Sequence, residues 1–464
     1  MRQLSIQIKD NAVREAQAKI SQVVKSAGGR AFLIGGCVRD AFLGLDSKDL
    51  DIEVYGITSK TLVAILSPHF SIDLVGEAFS VFKLRGLPID ISLPRRESKA
   101  GRGHRGFRVV ADSEMTLEEA GSRRDFSMNA VAFDPISGEV FDPFGGLQDL
   151  ESGILRHTSS KFGEDPLRVL RGMQLAGRYS LSVVPETVDV SKSLFTEYGS
   201  LAIERIWGEW YKWASQSVQP SAGLRFLHQC EWLQAYPELL ALKGCPQDIR
   251  FHPEGDVWIH TLHCTDQAAR IAQRDALDNT ERAILVLASL CHDLGKPTMT
   301  KVTRNGVHSR GHAETEDIYR QFLSRIGAPK TVVDRVTILC RYHLAHLNFG
   351  GSSRYVRKLA LALDSVDENI EMLARLVEAD QSARPPLPSI LPEKMKTLLK
   401  LASDLEVKDA TPKPILMGRH LIELGVSPGP ELGKILQAAF DAQLDGTFDT
   451  LETAREWVMK QHFS

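Results

Sequence analysis

Two aspartates, Asp49 and Asp51, stand in the segment DLDIEVY with one residue between them. The segment alternates polar and apolar residues, which predicts a half-buried strand over 49–55. On a strand, that spacing puts both carboxylates on one face with Cα atoms ~6.5–7 Å apart. Leu50, Ile52 and Val54 then point the other way, into a core. Two carboxylates so placed can share a pair of Mg²⁺ ions, which lie ~3.5–4 Å apart in two-metal sites. One ion would activate a hydroxyl, and the other would hold a polyphosphate and its leaving group. Asp90, between Ile89 and Ile91, is a third candidate carboxylate on another strand. Acids on a strand are ordinary by themselves, since edge strands use charge to discourage pairing. The context is not ordinary: about fourteen residues before Asp49, LIGGCVRD reads as strand, Gly35-Gly36 turn and helix start. Glycines in such a turn let backbone N–H groups approach a phosphate, and a helix N-terminus adds favourable partial charge.

The elements that must position these groups follow from periodicity. A helix is predicted over 5–27, stopped by Ala27-Gly28-Gly29. A strand over 31–34 and a helix over 38–43 flank the Gly-Gly turn. Strands over 79–84 and 87–93 could pair through Arg85-Gly86, and NAVAFDP and SGEVFDPFGG supply two short strands. Residues 94–122 read as a polar stretch rich in Arg and Gly. The first region is thus a small α/β unit with a mostly consecutive sheet. From about 150 the pattern is helical, over 165–178, 203–214, 221–234, 257–272, 280–294, 313–326, 331–343 and 367–380. RPPLP at 384–388 is a linker signal, and the tail after it is helical.

Composition bounds the function. The 464 residues, 43% hydrophobic, can bury several cores, roughly two to four domains. The net charge of −3 means that nucleic-acid binding must rest on local basic patches. The six cysteines form no C-x-x-C pair, so neither a zinc ribbon nor a disulfide framework is expected. No signal-peptide core and no run of ~18 apolar residues occurs. The expectation is a soluble cytoplasmic protein without a membrane partner.

LIGGCVRDAFLG followed by DLDIEVYG resembles the signature of the class II nucleotidyltransferases. That family contains CCA-adding enzymes and bacterial poly(A) polymerases. Further resemblances follow in the family's order. They are RRDFSMNA at 123–130, DPFGG at 142–146 with Asp149 and Ile154-Leu155-Arg156, Glu164-Asp165-Pro166-Leu167-Arg168 with Arg171, and Glu204-Arg205-Ile206 with Glu209. The resemblance spans roughly residues 30–215. It implies that Asp49 and Asp51 are the Mg²⁺-binding catalytic pair, to which the residue pattern adds Asp90 as a third catalytic candidate. It implies that Gly35, Gly36 and Arg39 hold the triphosphate and that Arg124, Asp125 and Asn129 bind ribose and phosphate. Asp165 and Arg168 would read the incoming base, with Arg171 in the same nucleotide-binding set. Arg168 offers donors for cytosine O2 and N3, and Asp165 accepts from the amine that cytosine and adenine share. Uracil and guanine present a carbonyl there. On helical i,i+3 spacing alone, Asp165 and Arg168 would read as a surface ion pair.

Residues 98–108 carry Lys99, Arg102, Arg105 and Arg108 without an acid. They suit RNA phosphates, or the flexible loop with which the family switches from C to A addition, although basic runs are often plain solvated surface. The interval from Asp90 to Arg123 is long enough for such a loop, which favours CCA or A addition.

A second pattern begins at His252. It runs through HTLHCTD at 260–266, LCHDLGK at 290–296, His312, His343 and Asp380, and resembles the HD superfamily of metal-dependent phosphohydrolases. The candidate ligands are His260, His292, Asp293 and Asp380, with His312 and His343 extending the set. Such donors suit Mn, Ni, Co or Mg, and a bound ion can turn water into a nucleophile against a phosphate ester. His263, His346 and His420 are assigned no site role. Trp207, Trp210, Tyr211 and Trp213 are expected to pack a helix rather than stack bases.

The expected architecture is an α/β nucleotidyltransferase head followed by an all-α neck and an HD-type helical domain. Its divisions are an N-terminal helix (1–27), head (28–150), neck with the base-reading helix (151–220), HD-type domain (221–385) and helical tail (386–464). The expected activity is template-independent CCA addition to tRNA 3′ ends from CTP and ATP, with possible HD phosphohydrolase activity. A poly(A) polymerase or A-adding enzyme would keep the same motifs. An HD phosphohydrolase with an RNA-binding head is the rival of another class. The expected partners are the tRNA 3′ end, CTP and ATP, and the sequence does not reveal whether a protein partner exists.

Overall fold

The structure is a computed structural model that describes residues 6, 8–47, 49–75, 81–99, 107–304, 306–408 and 413–462. The chain divides into two compact units, residues 1–209 with 222–235, and residues 210–221 with 236–464.

The first unit is built on a sheet of strands β1 (Arg30–Ile34), β2 (Leu50–Tyr55), β3 (Ile72–Val75), β4 (Val81–Leu84), β5 (Ile89–Ser92), β8 (Ala132–Phe133) and β9 (Val140–Phe141). The remaining pair, β6 (Arg95–Lys99) and β7 (Phe107–Ala111), forms a separate antiparallel ladder. The main sheet runs β3-β4-β5-β2-β1-β8-β9, so the mostly consecutive order expected is broken between β1 and β8 and between β5 and β2. The β5 and β2 strands pair in parallel while their other neighbours are antiparallel. A parallel pair needs a long crossover connection. Residues 56–88 supply it, including the Ser59–Leu66 helix and β3, neither of which the periodicity predicts.

One core lies between this sheet and the Asn11–Ser26 and Ser59–Leu66 helices. Ile20, Val24, Leu33, Ile52, Leu62, Phe82 and Ile91 belong to it. A smaller cluster contains Phe32, Ile34, Tyr55 and Met115. The first helix begins at Asn11 rather than at residue 5, because the Asp10 carboxylate caps it by accepting from the N–H groups of Ala12 and Val13. Among the described residues, the polar stretch 94–122 contains regular elements. It holds β6, β7 and a Leu117–Gly121 helix with a Thr116/Glu119 capping box. Residues 100–106, with Arg102 and Arg105 of the basic run, lie outside the described residues.

In the second unit the Val257–Arg274 helix packs on the Asn279–Cys291 and Ile370–Ser382 helices, and Asn279–Cys291 also packs on Lys330–Tyr342. Trp210 and Trp213 are fully buried here, edge to face at 5.3 Å, and Trp210 Nε1 donates to Tyr236 Oη at 3.0 Å. They are packing residues. The tail carries a small core of its own around Leu421, Ile435, Phe448 and Val458. The expected helix over 221–234, which falls almost wholly in the first unit, is instead Pro220–Gln229 followed by a separate turn at Trp232–Ala235. Glu231, at φ 62°, interrupts it. A Ser353–Asp364 helix was not predicted. Among the described residues, no helix is long and apolar enough to cross a membrane.

Candidate functional site

The first unit carries a cleft of about 390 Å³. All nine residues predicted to bind nucleotide line it: Gly35, Gly36, Arg39, Arg124, Asp125, Asn129, Asp165, Arg168 and Arg171, together with Asp51. Arg123 and Arg205 line it too, and the sequence reading had given neither a role. Six arginines face three aspartates there, so the cleft favours anions although the chain is net negative.

Asp51 lies on β2, and its backbone partner across the parallel pair is Asp90 on β5. Asp49 does not lie in the strand as predicted. It sits in a bend just before Leu50, where β2 begins. Withdrawal of its carboxylate from water raises the Asp51 pKa; Arg124 opposes this, and Asp90 and Asp49 add to the rise. Crowded carboxylates of this kind are relieved by a cation. At present Lys83 serves Asp90, with Nζ 2.9 Å from Oδ2.

Gly35 has φ 70° and ψ −129°, a conformation that suits glycine alone. A methyl there would lie 3.5 Å from Arg124 Nη1 and 3.8 Å from Asp51 Oδ2. Glycine therefore keeps open the space between the cation and the carboxylate. Glu53, next on the same face of β2 after Asp51, orients Arg124. Its Oε2 lies 3.4 Å from Arg124 Nη2 and accepts from Tyr55 Oη at 2.6 Å. Extending the period-two pattern from Asp51 would have found it.

Arg39 is buried. It donates to Asp40 Oδ1 (2.9 and 2.8 Å) and Asn129 Oδ1 (2.7 Å), and lies over the Tyr179 ring. Asp125 Oδ1 accepts from Asn129 Nδ2 (2.9 Å), and Oδ2 accepts from Arg171 Nε (2.7 Å). Burial works against the Asp125 charge, yet Arg171 and the hydrogen bonds from Asn129 and the Phe126 N–H hold its pKa below the usual range.

Asp165 and Arg168 do not share a helical face. The helix begins at Leu167, and Asp165 is extended, at φ −133° and ψ 107°, ahead of Pro166. Its Oδ1 accepts from the Leu167 N–H (3.0 Å) and its Oδ2 from Arg205 Nη2 (2.7 Å). Arg168 donates to the carbonyls of Lys161 and Arg123, each at 2.7 Å. The i,i+3 ion pair is not made. Each side chain is held separately with one edge toward the cleft.

The second unit gathers His260, His292, Asp293, His312, His343 and Asp380, all buried. Beside them is a cleft of about 400 Å³, whose lining includes Lys296, Arg384 and Phe251. His292 Nδ1 donates to the Ser289 carbonyl (2.8 Å), His312 Nδ1 to that of Ser309 (2.6 Å), and His343 Nδ1 to that of Cys340 (2.6 Å). A carbonyl only accepts, so Nδ1 carries a proton in each ring, and it is Nε2 that is turned toward the other side chains of the centre. The His312 and His343 Nε2 atoms face one another at 3.3 Å, a separation that suits two donors on one cation. His292 Nε2 lies 3.2 Å from Asp293 Oδ2, and His312 Nε2 lies 3.2 Å from Oδ1. Among the described residues, His292 Nε2 and Asp293 Oδ1 are buried with no hydrogen bond of acceptable geometry, while Asp293 Oδ2 is ion-paired with Lys296 Nζ at 2.8 Å. Such orphaned atoms are what a metal would satisfy. Ligand atoms of His260, His292 and Asp293 lie within 4.8 Å of one another, as do those of Asp293, His312 and His343, so Asp293 belongs to both groups.

Burial, then the neighbouring His292 and His312, push the His343 pKa down to about 3, which keeps it a neutral ligand. Burial opposes the charge on His260 too, but hydrogen bonds to Asp380 and Glu254 raise its pKa to about 9. Glu254 was not singled out by the sequence, although it stands in HPEGDVWIH just before the helix. His420 Nδ1 accepts from the Met417 N–H, a structural role.

Comparison with known proteins gives a consistent likeness. The family described as the poly A polymerase head domain matches residues 31–156, and the HD domain matches residues 257–377. The multifunctional CCA protein of Xanthomonas campestris pv. campestris (strain B100) is 38% identical over 367 residues, covering 76% of this chain and 85% of that protein. That of Xylella fastidiosa (strain 9a5c) is 36% identical over 367 residues, covering 76% and 84%. Among solved structures, the Bacillus stearothermophilus CCA-adding enzyme in complex with CTP has a TM-score of 0.63 at 21% identity, covering 98% of each chain. The Thermotoga maritima CCA-adding enzyme complexed with tRNA has a TM-score of 0.61 at 18% identity, covering 99% of this chain and 97% of that one. At those identities the structures speak to the fold.

Proposed function

The chain belongs to the CCA-adding nucleotidyltransferases that combine a poly A polymerase head with an HD domain, and from that premise we propose how its two centres work. Its activity is addition of C, C and A, from CTP and ATP, to the 3′ end of tRNA. The terminal ribose hydroxyl attacks the α-phosphorus of the incoming nucleotide, and pyrophosphate leaves. Asp49, Asp51 and Asp90 would hold Mg²⁺, to which hard oxygen donors are suited. When bound, such ions lower the pKa of the attacking hydroxyl and neutralise charge that develops on the phosphates.

The chain's own side chains do the rest. Arg39 and Arg124 face the triphosphate, and Gly35 leaves room for it between Arg124 and Asp51. Asp125 and Asn129, already bonded to each other, position ribose. Asp165 and Arg168 read the base edge, with Arg205 and the Leu167 N–H fixing the carboxylate. The observation that carries this reading is one cleft in which six arginines meet Asp51, itself in register with Asp90. Incubation with tRNA lacking its 3′ CCA, with CTP, ATP or both, tests it. A complete terminus requires both nucleotides, whereas continued A tracts would point to a poly(A) polymerase.

At the HD centre, His260, His292, Asp293 and Asp380 would hold a divalent ion such as Mn, Ni, Co or Mg. His312 and His343 would hold a second beside the shared Asp293. A bound ion supplies a nucleophilic water at neutral pH, which supports phosphohydrolase activity there. The domain divisions read from the sequence, 1–27, 28–150, 151–220, 221–385 and 386–464, are kept as part of this proposal. So is a cytoplasmic location, where tRNA is matured.

A further inference from the structure

We propose that Glu254 is a positioning residue of the HD centre: it grips His260 from behind and presents that ring's other nitrogen to a divalent ion. The proposal rests on the reading of this centre as a metal site.

Four imidazoles converge there, and three are oriented alike. His292, His312 and His343 each donate Nδ1–H to the main-chain carbonyl three residues earlier. His292 and His343 can do so because they terminate the Asn279–Cys291 and Lys330–Tyr342 helices, where carbonyls are left over. His260 has no such option. It lies inside the Val257–Arg274 helix, and the carbonyl of Val257, three residues earlier, already accepts from Thr261 Oγ1 at 2.8 Å. Its Nδ1 must find a side chain.

Glu254 supplies the acceptor, with Oε1 2.8 Å from His260 Nδ1. The glutamate side chain is 0% exposed, an expensive place for a carboxylate unless it is paired. It is paired twice, for His252 Nδ1 lies 2.9 Å from the same oxygen. Gly255, at φ 131°, turns the chain back toward the helix, and Asp256 then caps it through the Ile259 N–H. That turn sets Glu254 against a residue six positions later.

The opposite edge of the His260 ring faces the centre, with Nε2 3.1 Å from Asp380 Oδ1 and 3.8 Å from Asp293 Oδ2. Toward an ion held by His292, Asp293 and Asp380, Glu254 is therefore behind the ligand, on the ring's Nδ1 edge, where it also forms a separate close group with His252 and His260. A carboxylate in that place fixes the tautomer and raises the basicity of the ligating nitrogen, and losing one costs roughly 10–100-fold in metal affinity.

The test uses the full chain stripped of metal, with Co²⁺ alone as the probe, and the variants Glu254→Gln, Glu254→Ala and His260→Ala. Co²⁺ affinity should fall about 10-fold in Glu254→Gln and about 100-fold in Glu254→Ala. The visible absorption of bound Co²⁺ should also change in Glu254→Gln at saturating metal, which a merely structural role would not produce. CTP incorporation into tRNA should stay at the parental rate. Glu254→Gln preserves shape and an acceptor oxygen, so it carries the test should the alanine variant fail to fold. Parental affinity and spectrum in the Glu254 variants, with Co²⁺ binding lost in His260→Ala, overturn the role of Glu254 alone. Parental binding in His260→Ala as well overturns the metal reading of the centre.

Discussion

Asp51 and Asp90 are backbone partners across the parallel β2–β5 pair, so their side chains leave adjacent strands on the same face. The acids of the head centre thus come from strands that are neighbours only through a long crossover.

Replacing Asp51 by Ala should leave the fold intact, since the side chain belongs to no core, and reduce nucleotide addition by at least about 10²–10³-fold. Asp90→Ala should lower it in the same direction. Single-turnover incorporation of CMP into tRNA lacking CCA, with circular dichroism as the fold control, measures both. Near-parental rates in Asp51→Ala would remove the basis of the assignment.

Arg205 holds the Asp165 carboxylate through a 2.7 Å ion pair. Arg205→Ala should free that carboxylate and weaken choice of the base more than the chemical step. Discrimination between CTP and UTP should fall about tenfold, the kinetic equivalent of one charge-assisted hydrogen bond. The ratio of kcat/KM values for the two nucleotides is the readout, and an unchanged ratio would show that Arg205 plays no part in selection.

Gly35→Ala should be harmful twice over. The backbone at φ 70° and ψ −129° resists a side chain, at a cost of about 1–3 kcal/mol. The methyl would also stand 3.5 Å from Arg124 Nη1. Chemical denaturation should show the loss of stability, and the KM for CTP should rise. Wild-type values for both would mean that the turn tolerates a Cβ.

In the metal-free protein the combined contribution of His260 and His343 to stability should peak near pH 6.5, the ordinary value for histidine. His260 has its pKa raised to about 9, so its contribution is complete below 6.5 and fades as pH climbs through 9. His343 has its pKa lowered to about 3, so its contribution is complete above 6.5 and fades as pH falls toward 3. Melting temperature against pH in a chelator follows both limbs. His260→Gln should flatten the alkaline limb and His343→Gln the acid limb; a limb that survives its substitution belongs to another group.

Much of the site could be read along the chain because its motifs are local. Gly35-Gly36, the alternation at 49–55 and the His292-Asp293 pair are each a short run whose residue types have few other uses together. What escaped was made by partners distant in sequence. Arg205 meets Asp165 and Glu53 meets Arg124. Asp165 escaped differently: Pro166 keeps the residue before it extended, which helical spacing cannot show.

The sequence by itself determined the kinds of groups present, the faces that local periodicity assigns them and the order of the motifs. Those depend on bond geometry over a few residues. Only the tertiary structure decided that β5 lies beside β2, that six arginines share a cleft with Asp51, and which nitrogen each buried imidazole turns inward. Such choices are made when whole elements compete to bury apolar surface and to satisfy buried polar atoms. A short stretch of chain contains neither the competitors nor the partners.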